Sequence, residues 1–150
     1  MLPTGSGQYP PAMADLLVVS DSPTVREEVK ASIPNSSYAV RELTRGAEVV
    51  AAVRQATPDL IVLDSQIGAM GGMATCLELH LEEGAGRLPH VPVLMLVDRR
   101  ADVFLARRSA AEGWLVKPLD AMRTNRAIAA LLAGRTYEDA SYRPVTVPLV

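Results

Sequence analysis

Asp21, Asp64 and Lys117 lie far apart in the chain, yet each closes or follows a short apolar run: Leu16-Leu17-Val18-Val19, Leu60-Ile61-Val62-Leu63 and Trp114-Leu115-Val116. Two carboxylates and one amine brought together are the equipment for phosphoryl transfer to an aspartate. The carboxylate is the nucleophile, but it and the incoming phosphoryl group are both negative. A hard divalent cation must therefore stand between them, and Mg²⁺ is commonly held by one or two carboxylates plus waters. A lysine then balances phosphoryl oxygens as a point charge. Asp98, after a fourth apolar run, adds another carboxylate to the same set.

The elements that must position these groups are legible from patterning. Pro58-Asp59 form a turn, and the following run, apolar on both faces and rich in β-branched residues, suits a central strand of a parallel sheet covered by helices on each side. Further strands are predicted over 15–19, 38–43, 91–97 and 114–116. Ser22 caps a first helix with Pro23 at its first position; Val25, Val29 and Ile33 share one face, Arg26, Glu27 and Lys30 lie outside, and Pro34-Asn35 end it. Helices follow over 46–56 (Val49, Val50 and Val53 inward), 73–83 and 102–112. A last helix runs from the Asp120 cap to residue 133, with Ile128, Leu131 and Leu132 facing in and Gly134 at its C-terminal stop. Alternating strands and helices predict an α/β fold, a flavodoxin-like (βα)5 doubly wound parallel sheet of strand order 2-1-3-4-5. In such sheets chemistry sits outside the carboxyl ends of the strands, and Asp21, Asp64, Asp98 and Lys117 all fall on that rim.

Bulk properties narrow the function classes. The chain has 150 residues and a net charge of -2, enough for one domain with a real core. No basic stripe marks a nucleic-acid surface. The single Cys76 excludes a disulfide framework and reads as a small buried hydrophobe in a reduced compartment. No apolar stretch approaches the length of a bilayer span. Residues 1–13 carry neither a basic nor an apolar signal region and read as a disordered leader, so a cytoplasmic location is expected. His80, among Leu77, Leu79 and Leu81, and His90, beside Pro89, have no partners at ligand spacing and are not read as metal ligands. The tail over 135–150 is flexible or docked; Pro144 and Pro148 bar it from a central strand, though not from a sheet edge or groove.

The chain resembles the receiver domain of two-component response regulators over residues 15–133. The likeness rests on Ser20-Asp21 after the first strand, Asp64 after the third and Leu115-Val116-Lys117-Pro118 after the fifth, in order and at matching spacing. It implies that Asp64 is the phosphoacceptor and that Asp21, Asp64 and the backbone carbonyl of Gln66 hold Mg²⁺. It also implies that Lys117 contacts the phosphoryl group and that the Lys117–Pro118 peptide is cis, an isomer essentially confined to proline. Trp114 takes the place of the family's switch aromatic. A sensor histidine kinase or other phosphodonor is the implied upstream partner. An effector protein would bind the face of helix four, strand five and helix five, through which homodimers also form. On that face Arg99-Arg100 and Arg107-Arg108 suit an acidic protein surface if they do more than solvate a helix.

Departures from the family pattern make the domain atypical. Ser20 replaces the first of two adjacent acids, which leaves two carboxylates and weaker Mg²⁺ binding. Gly68 stands in a proline position, so that loop is less pre-organised. Val97 replaces a Ser or Thr whose hydroxyl donates to the phosphoryl oxygen, a bond worth about 1.5–3 kcal/mol. Asp98 replaces a small residue; it either repels the phosphoryl group, pairs with Lys117, joins Asp21 around a cation, or points to solvent. Two functions stand open. One is a stand-alone phospho-switch in phosphorelay signalling, acting through protein–protein binding. The other is a pseudo-receiver binding module held in one conformation. A flavin or nucleotide carrier on the same sheet is disfavoured, because the loop after the first strand lacks both G-x-G-x-x-G and a Walker lysine motif.

Overall fold

The protein is described by a computed structural model over residues 13–34, 37–68 and 71–139. Five parallel strands, β1 (Ala14–Val19), β2 (Tyr38–Leu43), β3 (Leu60–Asp64), β4 (Val93–Val97) and β5 (Gly113–Val116), lie in the order β2-β1-β3-β4-β5. Helices α1 (Pro23–Ala31), α2 (Val49–Gln55), α3 (Gly72–Gly84), α4 (Val103–Arg108) and α5 (Ala121–Leu132) connect them. The expected doubly wound sheet and its strand order are therefore those observed. β3 is central, and all five of its residues are buried.

Alternation along the strands divides the core in two. Leu16, Val18, Leu60, Val62, Leu94, Leu96 and Leu115 face α1 and α5, meeting Val25, Val29, Ile128 and Leu131. Leu17, Val19, Ile61, Leu63, Met95, Val97, Trp114 and Val116 face the other layer, meeting Val49, Val53, Cys76, Leu79, Val103 and Ala106. Each buried aliphatic side chain removes about 1.5–3 kcal/mol of unfavourable hydration. Burial also pushes the Cys76 thiol up to about 11, so it is an inert hydrophobe.

The helix starts follow their caps. The Ser22 hydroxyl accepts from Val25 N at 3.3 Å, and an Asp120 carboxylate oxygen accepts from Arg123 N at 2.9 Å. At the end of α5, Gly134 adopts φ +80°, and the amides of Gly134 and Arg135 return to the carbonyls of Leu131 and Ala130, the glycine stop expected there. Several boundaries differ from expectation, three of them for reasons that can be named. The helix foreseen over 46–56 begins as a 3-10 turn, Gly46–Glu48. The strand foreseen over 91–97 starts at Val93, because Pro92 lacks an N–H to donate. The helix foreseen over 102–112 ends at Arg108: Ala110 turns left-handed at φ 62°, and Glu112 folds back to accept the Val93 amide at 2.7 Å. Apolar periodicity runs through Ala110-Ala111 and carries no stop signal, so the sequence overran the helix.

At the amino end of the sheet, His90 joins two elements. Its Nδ1 lies 2.6 Å from Glu83 of α3, and its Nε2 lies 3.1 Å from Glu112 ahead of β5. The hydrogen bond to Glu83, followed by the field of Glu112, raises the imidazole above its ordinary 6.5 despite some burial. A raised folded value means that the stabilisation is complete below pH 6.5 and disappears as pH climbs through the folded value. Thermal melts between pH 6 and 9 should show a decline for the native chain that His90→Gln flattens; parallel curves would rule this bridge out as a contributor.

Candidate functional site

Because β1, β3, β4 and β5 run parallel, the residues after their last apolar positions share one rim. Asp64, the last residue of β3, is 1% exposed, and its carboxylate is met by three hydrogen-bond donors. The buried Ser20 hydroxyl donates to Oδ2 at 2.7 Å. On Oδ1 the Gln66 amide donates at 3.0 Å and Lys117 Nζ at 2.8 Å. A buried carboxylate without such donors would cost several kcal/mol, so this shell is what permits the charge to sit there.

Lys117 is drawn across the rim by two acids. Its Nζ lies 2.7 Å from Asp98 Oδ1 as well as 2.8 Å from Asp64. Burial alone would lower its pKa, but the hydrogen bonds to Asp64 and Asp98 outweigh it and the value is raised. The ammonium therefore stays charged through the neutral range. Of the alternatives open for Asp98, pairing with Lys117 is the arrangement observed, even though the side chain is 43% exposed. The Lys117–Pro118 peptide is cis.

Asp21 stands on the other side of Ser20. It is exposed, and its Oδ2 accepts from the Gly68 amide at 3.0 Å. Gly68 has φ +30°, a conformation that proline cannot adopt. Ser20 is held from both directions: its hydroxyl also accepts from Ser22 N, and its carbonyl accepts from Arg26 at 2.7 Å. Ser20, expected as a site modifier standing where the family has an acid, is a hydrogen-bond donor to Asp64.

Val97 is fully buried at the end of β4, and its carbonyl accepts the Lys117 amide at 2.9 Å. Trp114 is packed in the core at 6% exposure, and the Arg107 guanidinium lies 5.2 Å from its ring centroid, within cation–π reach. His80 lies apart from the rim, with Nε2 3.1 Å from the Ala110 carbonyl. Two features of the site had no clear signal in the residues. Gly72 packs so closely on β3 that a Cβ there would meet the Asp64 carbonyl oxygen at 2.6 Å. In addition, Asp139, from the tail, reaches the amide of Val116, next to Lys117.

Comparison with known proteins adds to this geometry. A family profile described as a response regulator receiver domain matches residues 16–129. Protein PilH of Pseudomonas aeruginosa is 29% identical over 122 residues, covering 81% of this chain and 100% of that protein. The DNA-binding response regulator MtrA of Mycolicibacterium smegmatis is 30% identical over 105 residues; the match takes in 69% of this chain but 43% of that protein. Among solved structures, a LuxR-family two-component response regulator from Aurantimonas sp. aligns with a TM-score of 0.74 and 27% identity over 87% of this chain and 93% of that one. The chemotaxis response regulator CheY4 of Vibrio cholerae aligns with a TM-score of 0.68 and 25% identity over 79% of this chain and 98% of that one.

Proposed function

The chain belongs to the response regulator receiver domain family, and on that premise we propose that it accepts a phosphoryl group on Asp64 and acts by binding another protein. The observation that carries the reading is the buried Asp64 carboxylate, 2.8 Å from Lys117 Nζ, at the carboxyl rim of the sheet. An Asp64 oxygen attacks phosphorus, and the bond from phosphorus to the donor's leaving group breaks with its electron pair on that group. Lys117 then moves its charge from carboxylate to phosphoryl oxygens, against the competing hold of Asp98. Ser20 and the Gln66 amide fix the carboxylate while this happens.

The residues present fit a hard divalent cation. Asp21, Asp64 and the Gln66 carbonyl offer only oxygen donors, the set that Mg²⁺ accepts, and Ser20 supplies no third carboxylate. Bound there, Mg²⁺ would screen the repulsion between carboxylate and phosphoryl oxygens. The upstream donor in this reading is a histidine kinase or a small phosphodonor, and the output is a protein–protein contact that involves the face of α4, β5 and α5.

Incubation with Mg²⁺ and acetyl phosphate, followed by intact mass measurement, tests the proposal. The expected result is an adduct of one phosphoryl group that Asp64→Asn abolishes and chelation of the metal suppresses. No adduct, or one that survives Asp64→Asn, would return the chain to the reading of a binding module without phosphoryl chemistry.

A further inference from the structure

β5 is one of the two edge strands of the sheet, and an edge strand presents unpaired amides and carbonyls that template pairing with another segment. Here the chain covers that edge itself. After Gly134 the backbone turns alongside β5 in parallel register, with Tyr137 opposite Gly113. The Tyr137 amide donates to the Glu112 carbonyl at 3.0 Å, and the Trp114 amide donates to the Tyr137 carbonyl at 3.1 Å. Two residues on, Asp139 is 1% exposed; its Oδ2 accepts the Val116 amide at 3.1 Å and pairs with the Arg123 guanidinium of α5. Between them Glu138 approaches Arg107 of α4 at 3.9 Å.

The groove is shaped to this occupant. A Cβ at Gly113 would meet the Tyr137 carbonyl oxygen and Leu131 Cδ1, both at 2.9 Å, so the absence of a side chain lets the strand approach. The Tyr137 side chain packs against the cluster that includes Leu115 and Leu131, and burial raises its phenol. Arg123 forms the far wall, and its guanidinium also donates to the carbonyls of Val116 and Pro118. Backbone pairing supplies direction, an open position takes an aromatic residue, and a cation takes an acid two residues later. These are the parts of a strand-addition site for an extended peptide.

We propose that the β5 edge, bounded by Arg107 and Arg123, is a recognition groove for an extended acidic peptide with an aromatic residue followed, two positions on, by a carboxylate, and that Tyr137–Asp139 fill it in cis. The competing ligand is an acidic segment of another protein with the same aromatic-x-acid spacing. Its access is gated by a tether of a few residues, which holds the internal segment at an effective concentration of order ~1 mM. The proposal does not depend on phosphoryl transfer at Asp64.

Hydrogen exchange of the Trp114 and Val116 amides in the full chain is the direct readout. Tyr137→Pro with Asp139→Ala should speed exchange at both amides at least tenfold, and a synthetic peptide of residues 134–140 added in trans should restore protection. The same peptide should leave the native chain unchanged. If the double variant does not fold by circular dichroism, Asp139→Asn, which keeps the shape and removes the charge, is read in the same way at Val116. Amides that stay protected in a folded variant would overturn the proposal, as would failure of millimolar peptide to restore them. Protection recovered through dimers seen by sedimentation would also overturn it, because the edge would then accept a second copy and not the peptide.

Discussion

Replacing Gly72 by alanine is expected to lower the unfolding free energy by about 3 kcal/mol, the upper end for overpacking a well-filled site. The added methyl would lie 2.6 Å from the Asp64 carbonyl oxygen and 2.7 Å from Ser65 Cα. Both are backbone atoms, one at the end of β3 and one at the start of the loop that leaves it, so no flexible side chain can move aside. Whatever relaxation occurs must shift Asp64 relative to Ser20 and Lys117, whose donors lie at 2.7 and 2.8 Å. Stability and phosphoryl uptake should therefore fall together. Gly84, at the end of the same helix, provides the control: nothing lies within 4 Å of a Cβ built there. Gly84→Ala should be neutral or stabilising by up to about 1 kcal/mol, because alanine loses less backbone entropy on folding. Urea titrations of the two variants decide the matter. An equal midpoint for Gly72→Ala and the native chain would mean that the close approach is not a constraint.

Most of the fold was legible because the features that encode it are local. The run Leu60 to Leu63 is apolar on both faces, so it had to be central, and β3 is the buried middle strand. Ser22 and Asp120 announce helix starts by side-chain chemistry that requires no tertiary information. The rim set of Asp21, Asp64, Asp98 and Lys117 follows from parallel strands alone. What stayed hidden depends on contacts across the chain. Nothing near Ser20 reveals that its hydroxyl meets Asp64, 44 residues later. Gly72 falls just outside the helix expected over 73–83, yet it starts α3 and is constrained by its neighbour strand, not by its own dihedral freedom. Tyr137-Glu138-Asp139 carry no strand periodicity over so short a stretch; only the gap beside β5 selects their conformation.

The departure at the end of β4 should be reversible by design. Val97→Thr with Asp98→Ala is expected to lengthen the lifetime of the Asp64 adduct by roughly 10- to 1,000-fold, from two separate effects. Val97 closes β4 at the rim, next to Asp98 and with its carbonyl bonded to the Lys117 amide, so a threonine there tests whether a hydroxyl at this position donates to the proposed phosphoryl group. A donor to a charged oxygen contributes about 1.5–3 kcal/mol. The Asp98 term is smaller than a bare carboxylate would give, because Lys117 neutralises it at 2.7 Å and water screens its exposed side. Its removal still frees the ammonium from a competing acid. Before phosphorylation the signs reverse. The buried threonine hydroxyl costs about 1–3 kcal/mol where it lacks a partner, and loss of Asp98 leaves Lys117 with Asp64 alone. The double variant should therefore melt below the native chain without phosphodonor and recover part of that deficit once loaded. Adduct decay followed by intact mass after donor removal, beside melts of both forms, separates the effects. A lifetime unchanged by both substitutions would show that neither Val97 nor Asp98 limits the phosphorylated state.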